Sequence, residues 1–412
     1  MSDIERRSGT EGPRASAIGL YVHIPFCASR CPYCDFATAP ARSPLRARYL
    51  DALEREIARE GARLDRPAVD TLYFGGGTPS LLEPHEIERL GAAIRRSFDL
   101  ALKEATVEAN PATLDRTRLE AWAEIGTTRL SLGAQSFSAE GLRALGRTHQ
   151  PSDIATAVAA ARSVGFEVNL DLIFGWPGQS PEAWRADLAA AVALEPDHLS
   201  CYPLELALEP DEALANWPGG GWRALAGWRR RTAAAQPDDR GVALLYRIAE
   251  RALARAGYRH YEIANWARPG RCCRHNLRYW RNAEWLGVGV GAHTHLAGVR
   301  SRNPGALVRY IGAIDADAPR IIDAAADAAV DWAMLALRLD DGLDLGEYAS
   351  RFGIERADRV RAALRGLDGA RLLRWRGDRV RLSERGRLLA SEVFLRLLPD
   401  EEPSSKVMLA TT

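Results

Sequence analysis

Short apolar runs rich in β-branched residues alternate with longer amphipathic stretches from Gly19 to about Leu206. Six of the runs predict strands: Gly19–Ile24, Val69–Phe74, Ala105–Ala109, Arg129–Gly133, Glu167–Ile173 and His198–Leu204. The amphipathic stretches between them predict helices: Pro44–Leu64, Pro84–Ser97, Thr113–Ile125, Pro151–Val164 and Pro181–Leu194. Strands separated by helices in this order predict parallel βαβ units with right-handed crossovers.

Polar or glycine-rich clusters follow nearly every predicted strand, and their positions help to choose between two α/β architectures. They are Cys27–Cys34, Gly75–Ser80, Glu108–Pro111, Gln135–Phe137 and Gly175–Gln179. In a barrel all such loops face one mouth, whereas a doubly wound sheet concentrates its site at one switch point. The distribution favours an α/β fold built on a partial (β/α)6 barrel of the TIM type.

The pattern changes to mainly helical from about residue 325. Near the end, Arg371–Trp375 and Arg379–Leu382 flank a tight-turn sequence, Gly377-Asp378, and the stretch Glu384–Leu398 predicts a helix after this hairpin. Such a hairpin and helix are typical of a small winged-helix-like module. We therefore expect a disordered tail at 1–16, the barrel at 17–240, an extension packed on it at 241–324 and a mainly α-helical C-terminal domain at 325–412.

Charge and composition exclude several classes of protein. The 412 residues include 55 basic and 54 acidic side chains, a balance that argues against nucleic acid as the main partner. We find no apolar run of the roughly 18–20 residues that a membrane-spanning helix needs, and the polar stretch Met1–Ser16 lacks the apolar core of a signal peptide. We expect a cytoplasmic protein without a transmembrane segment.

Three of the six cysteines lie within eight residues and follow the first predicted strand. Cys27, Cys31 and Cys34 have the spacing Cys-x3-Cys-x2-Cys. A [4Fe–4S] cluster normally takes four cysteine thiolates, so three would leave one iron open to a ligand that is not protein. The alternatives are a zinc site completed by His23 and free structural thiols.

The cysteine spacing, with an aromatic residue at Tyr33, resembles that of the radical S-adenosylmethionine superfamily. The resemblance implies that the open iron binds S-adenosylmethionine and that Tyr33 packs beside the adenine. The glycine loop Gly75-Gly76-Gly77-Thr78, one βα unit later, resembles the loop that holds the methionyl amino group, although a tight structural turn is an alternative. The residues that the resemblance implies for S-adenosylmethionine are Tyr21, Tyr33, Gly76, Gly77, Thr78, Glu108, Gln135, Arg147 and Asp171.

The set formed by Glu108, Gln135, Arg147 and Asp171 resembles the branch that contains oxygen-independent coproporphyrinogen oxidase. Singly, each of these residues has a structural alternative, such as helix capping by the neighbouring Asn110 or Ser136. The oxidases of the branch carry a fourth cysteine two residues after the third, where this sequence has Phe36. The branch also contains heme chaperones, whose HNxxYW motif is matched by His275-Asn276-Leu277-Arg278-Tyr279-Trp280.

The resemblance therefore implies a heme chaperone, with the radical decarboxylating oxidase as the alternative, and leaves enzymatic activity open. Heme needs an axial donor and apolar or aromatic surface, and His275, Asn276, Tyr279 and Trp280 are the candidates. The alternative is that this segment is only a hydrogen-bonded helix terminus packed on the barrel; His293 and His295 are rival ligands. The implied partners are heme as cargo, acceptor apoproteins such as respiratory hemoproteins, and an electron donor for the cluster.

Overall fold

The computed structural model describes residues 17–206, 216–217, 222–324 and 327–398. The tail predicted at 1–16 lies outside the described residues. Within the described residues we find no helix long and apolar enough to cross a lipid bilayer.

The strands and helices are numbered here in chain order. The strands are β1 Ile18–Ile24, β2 Phe26–Cys27, β3 Ala39–Pro40, β4 Ala68–Gly76, β5 Asp99–Ala109, β6 Arg129–Gln135, β7 Glu167–Phe174, β8 His198–Pro203, β9 Arg259–Glu262, β10 Asn265–Ala267, β11 Trp285–Val288, β12 His293–Leu296, β13 Val299–Arg302, β14 Ile321–Ile322, β15 Leu343–Asp344, β16 Leu373–Arg376 and β17 Arg379–Leu382. The helices are α1 Arg46–Arg63, α2 Pro84–Ser97, α3 Arg116–Glu124, α4 Ala139–Ala144, α5 Pro151–Ser163, α6 Pro181–Ala193, α7 Trp222–Ala235, α8 Asp239–Arg255, α9 Arg274–Trp280, α10 Leu307–Asp315, α11 Ala328–Arg338, α12 Leu345–Phe352, α13 Ile354–Arg365, α14 Glu384–Leu388 and α15 Ala390–Leu395.

One twelve-stranded sheet dominates the structure, in the order β14-β13-β12-β11-β1-β4-β5-β6-β7-β8-β10-β9. The six predicted strands, now β1 and β4 to β8, lie side by side in chain order and pair in parallel. Because their order never reverses, the sheet has no switch point, and the predicted partial barrel is confirmed over the doubly wound sheet. Hairpins and short strands extend it at both edges, so the sheet does not close.

The two faces of the parallel strands differ sharply. Residues that alternate along each strand, such as Leu20, Val22 and Ile24 on β1, are fully buried against the helices and form the main core. The residues between them form the inner face of the barrel and are largely polar or aromatic, as Tyr21 and His23 are on the same strand. This inner face, with the loops above it, positions the candidate site.

The pairing of β1 with β11 was not predicted. Trp285 to Val288 lie parallel to β1 on the side away from β4, although more than 250 positions separate the two strands. Beyond β11, the strands β12, β13 and β14 continue the sheet in antiparallel fashion. The sheet edge at β14 therefore comes from the segment expected to be only an extension.

The C-terminal residues form a second core with its own three-stranded sheet, ordered β15-β17-β16. The predicted hairpin is confirmed, with Gly377 in the left-handed region (φ 62°) between β16 and β17. The helix predicted over Glu384–Leu398 is instead interrupted at Leu389, where α14 ends and α15 begins. The two halves serve different cores: Leu388 of α14 packs against the main core, whereas Val393 and Phe394 of α15 belong to the second core.

Candidate functional site

The three clustered cysteines lie in the loop that begins at the end of β2, and all three are half-buried. Two side chains from other loops point donors at their sulfurs. The Thr78 hydroxyl lies 3.5 Å from Cys27 Sγ, and Arg147 Nη1 lies 3.3 Å from Cys31 Sγ. Both contacts favour the thiolate form that a metal would bind.

Without a cation the site disfavours thiolates. Burial raises the pKa of Cys27 to about 11 and that of Cys34 to about 12, and the neighbouring cysteines add repulsion in both cases. Two or three thiolates at these positions therefore need a positively charged centre among them. An iron–sulfur cluster supplies such a centre.

The donor arrangement distinguishes a cluster from a single metal ion. Within the described residues, no three His, Cys, Asp or Glu side chains are placed so that they could hold one metal ion. His23 Nε2 instead lies 2.8 Å from the Ala37 carbonyl oxygen. These positions do not favour the zinc alternative completed by His23. A four-iron cluster fits better, because each iron takes its own thiolate and the sulfurs need not converge on one point.

The glycine loop after β4 packs directly against the cysteine segment. A Cβ on Gly77 would lie 2.5 Å from the Pro25 carbonyl oxygen, and one on Gly76, whose φ is 112°, would lie 2.4 Å from the His23 ring. The amides of Gly77 and Thr78 donate to the carbonyls of Ile24 and Phe26, at 2.8 and 2.9 Å. These glycines thus hold the cysteine loop on the barrel, which gives the tight-turn alternative a concrete role.

Glu108 at the end of β5 is a buried carboxylate whose pKa is strongly perturbed. It accepts hydrogen bonds from the Tyr73 hydroxyl at 2.8 Å and from the Gly76 amide at 2.9 Å. Burial raises its pKa to about 7, although both hydrogen bonds oppose the shift. Tyr21 stacks on Tyr73 with ring centroids 6.0 Å apart. A cationic group of a ligand would restore the charge of this carboxylate.

Gln135 and Arg147 carry buried polar atoms that lack partners among the described residues. Gln135 adopts φ 65°, and its Oε1 has no hydrogen-bond partner. Arg147 donates through Nη2 to the Gly133 carbonyl at 2.9 Å, but its Nε has no partner. A buried acceptor and a buried donor without partners are costly unless a ligand binds them. This observation supports the predicted fit for a polar cofactor.

Asp171 and Tyr33 are the remaining residues of the predicted S-adenosylmethionine site. Asp171 accepts from the Ser131 hydroxyl at 3.0 Å and from Asn169 Nδ2 at 2.8 Å, while burial raises its pKa. Tyr33 packs on a separate apolar cluster formed by Leu145, Ile173, Trp176 and Leu204. The predicted S-adenosylmethionine residues thus gather at the carboxyl ends of the strands, with an apolar surface beside the cysteines that would suit an adenine.

Arg229 is a positioning residue that the sequence did not reveal. From α7 it donates to the carbonyls of Pro32 and Cys34, at 2.9 and 3.0 Å, and to the Asp35 carboxylate at 2.8 Å. It therefore fixes the second half of the cysteine loop from nearly two hundred positions away. The run Arg229-Arg230-Arg231 offers no local signal that singles out one member.

The HNxxYW segment forms α9, which lies against the inner face of the barrel below these residues. His275 is fully buried; its Nδ1 lies 3.1 Å from Thr71 Oγ1 and its Nε2 lies 2.8 Å from the Tyr279 hydroxyl. Its ring stacks on Tyr73 at 5.2 Å, and burial lowers its pKa to about 3. Both ring nitrogens are occupied, so heme ligation by His275 requires α9 to rearrange and stays a prediction.

The start of α9 is capped by a residue from the barrel. The carboxylate of Glu104 on β5 accepts the amides of Arg274 and His275, each at 3.0 Å, and lies 3.5 Å from Arg129 Nη2. At the other end of α9, the Arg338 guanidinium lies over the Trp280 ring at 4.4 Å. Asn276 and Trp280 are half-buried, so the motif is packed as the helix-terminus alternative describes.

A parallel partial barrel with a three-cysteine loop after its first strand defines a radical S-adenosylmethionine protein. The profile of the Radical SAM superfamily matches residues 21–191, and that of the HemN C-terminal domain matches residues 324–389. A protein named heme chaperone HemW from Mycobacterium tuberculosis is 40% identical over 394 residues, which cover 92% of this chain and 94% of that protein. Heme chaperone HemW of Bacillus subtilis is 33% identical and covers 91% of this chain and 97% of its own.

These matches span nearly the whole chain, and the chain belongs to the family of heme chaperones named HemW. Among solved structures, coproporphyrinogen III oxidase (HemN) from Escherichia coli, described as a radical SAM enzyme, superimposes with a TM-score of 0.80 at 25% identity. It covers 93% of this chain and 91% of its own. The predicted fold and family are confirmed.

Proposed function

We propose that this protein is a heme chaperone that binds heme and passes it to apoproteins. The observation that carries the proposal is the near full-length similarity to proteins named heme chaperone HemW, at 40% identity for the Mycobacterium tuberculosis protein. Position 36 also supports the chaperone over the oxidase. The resemblance places the fourth cysteine of the oxidases here, whereas this chain has Phe36, whose side chain is 58% exposed. The similarity to HemN supports the fold and does not favour the oxidase alternative.

We further propose that Cys27, Cys31 and Cys34 hold a [4Fe–4S] cluster whose fourth iron binds S-adenosylmethionine. When bound, the pair supplies one-electron chemistry at the sulfonium. The residues of the chain orient and shield it: Thr78 and Arg147 donate toward the sulfurs, which stabilises their charge. The reduced thiols that such a cluster needs favour the cytoplasm and an electron donor located there.

The side chains around the cluster suit the polar ends of S-adenosylmethionine. Glu108, held by Tyr73 and Gly76, would accept the ammonium group. The unpartnered Nε of Arg147 and Oε1 of Gln135 would bind polar groups of the methionyl part and the ribose. Asp171 would accept a ribose hydroxyl, and Tyr33 would pack beside the adenine. Tyr21 would support the site through its stack on Tyr73.

Heme titration of the anaerobically reconstituted protein tests the proposal. Hemin added with and without S-adenosylmethionine should give a saturable Soret band near one equivalent, and an apo-hemoprotein added afterwards should remove it. A parallel assay supplies coproporphyrinogen III under reducing conditions. Consumption of coproporphyrinogen without any heme binding would establish the oxidase instead. The transfer step identifies the acceptor, and a respiratory hemoprotein is the first one to test.

A further inference from the structure

The rim of the sheet at β12 to β14 carries a row of side chains that the S-adenosylmethionine site does not use. His293 on β12 pairs with Arg302 on β13, which pairs with Ile321 on β14. Residues paired across neighbouring strands point to the same face of a sheet. We call these three residues the edge row.

The edge row lies on the inner face of the barrel. His295, two positions after His293, is paired with Trp285, whose ring contacts Tyr279 of α9 on that inner face. His293 shares this face with His295 because side chains alternate along a strand. Between them, Thr294 points the other way and bonds the backbone of Gly287, at 3.0 Å from its amide.

His293 differs from the other histidines of the inner face in its freedom to bind. It is exposed, and its ring makes no hydrogen bond among the described residues. His275 and His198 use both ring nitrogens, and His295 is 5% exposed with Nδ1 directed at the Ala283 carbonyl. Partial desolvation, together with the charges of Arg302 and Arg300, lowers the pKa of His293. Its imidazole is therefore neutral near pH 7, the form that binds a metal.

We propose that the edge row is a heme-binding site in which His293 is the axial ligand. This inference rests on the proposed chaperone function and specifies the site of that function. Arg302 supplies a cation for a heme propionate, and Ile321, 43% exposed, supplies apolar surface for the macrocycle. An imidazole, a guanidinium and an exposed aliphatic side chain in one row match the three chemical parts of heme.

Two glycines, Gly287 and Gly291, lie close to His293 in the turn and strands that join β11 to β12. A Cβ on Gly287 would lie 2.1 Å from the His293 carbonyl oxygen, so that position admits no side chain. At the top of the same hairpin, a Cβ on Gly291 would lie 3.2 Å from Ala37 Cβ, so the cysteine loop passes close by. Exposed Phe36 directly precedes Ala37 in the chain. The backbone next to His293 therefore carries no side chain at these two glycine positions.

Hemin titration of four full-length, cluster-reconstituted proteins tests the site: the unchanged protein, His293→Ala, His275→Ala and His85→Ala. His85 is an exposed histidine on α2 and serves as the matched control. We expect His293→Ala to weaken hemin binding by at least about tenfold and to change the spin-state bands, since even the loss of a supporting residue costs 10–100-fold in metal affinity. Added imidazole should restore the bands in this variant. His85→Ala should bind as the unchanged protein does.

A second comparison tests the propionate contact. Arg302→Gln should weaken binding of hemin severalfold and leave binding of hemin dimethyl ester, which has no free propionates, unchanged. Unaltered affinity and spectrum in His293→Ala, or a loss in His275→Ala alone, would overturn the assignment while the chaperone proposal stands. Absence of hemin binding by the unchanged protein would instead remove the proposed function and this inference together.

Discussion

Replacing Glu108 by Gln should stabilise the protein free of S-adenosylmethionine, but only at high pH. The Glu108 carboxyl has a pKa of about 7 in the folded chain against an ordinary value of 4.5. Between these values the folded state binds more protons than the unfolded state, so stability falls as pH rises through this window. The difference corresponds to roughly 3 kcal/mol once the carboxyl is fully ionised.

The amide should avoid this cost and keep the local hydrogen bonds. Its carbonyl oxygen can accept from the Gly76 amide, and the Tyr73 hydroxyl can rotate to accept from its NH2 group. Denaturant unfolding of Glu108→Gln and the unchanged protein should therefore nearly coincide at pH 5. At pH 8.5 the variant should be more stable, by up to about 3 kcal/mol. The same variant should bind S-adenosylmethionine more weakly, because it lacks the charge for the ammonium.

The matched control is Glu124→Gln, at the exposed end of α3. It should change stability by less than about 0.5 kcal/mol at either pH. Two results would contradict this prediction: an equal loss of stability in Glu108→Gln at both pH values, or a gain of stability at pH 5. Either would show that ionisation of the Glu108 carboxyl does not lower the free energy of unfolding. The reasoning about its burial would then be wrong.

Three further substitutions test other parts of the site. Cys31→Ser should abolish the cluster, measured as loss of bound iron and sulfide after reconstitution, while the helical circular dichroism is retained. Arg147→Leu should keep the iron but weaken S-adenosylmethionine binding by about tenfold or more, measured by equilibrium dialysis. The reason is that hydrogen bonds to charged groups contribute about 1.5–3 kcal/mol. Undiminished binding would contradict the role of Arg147. Glu104→Gln should lower the free energy of unfolding by about 1–3 kcal/mol, because it weakens the cap on α9. Proteolysis near α9 should also become faster. An unchanged cleavage pattern would count against the cap.

The barrel and the grouping of the three cysteines were predictable because their signals are local. The alternation that marks β4, α2 and β5 is visible within one βα unit, and the cysteines fall within eight residues of one another. The β11 strand was not predictable, since its partner β1 lies far away along the chain and a four-residue strand carries little periodicity.

The candidate heme motif shows the same division between local and distant signals. The sequence placed His275, Tyr279 and Trp280 on one short segment, and the structure does fold that segment as α9. The Glu104 carboxylate that caps it lies 170 positions earlier and resembles any other polar residue of a strand. His275 is buried because α9 docks on Glu104 and because the His275 ring contacts Thr71. The sequence motif suggested a histidine available for heme, and it could not show that both ring nitrogens are occupied.

The stack of His275 on Tyr73 has a mechanical consequence. One side of the Tyr73 ring supports the helix at the base of the barrel, while its hydroxyl steadies the carboxylate at the mouth. A displacement of α9 large enough to uncover His275 would break its stack on Tyr73, the residue whose hydroxyl donates to Glu108. Tyr73 thus connects the base of this barrel with its mouth, because one residue contacts both His275 and Glu108.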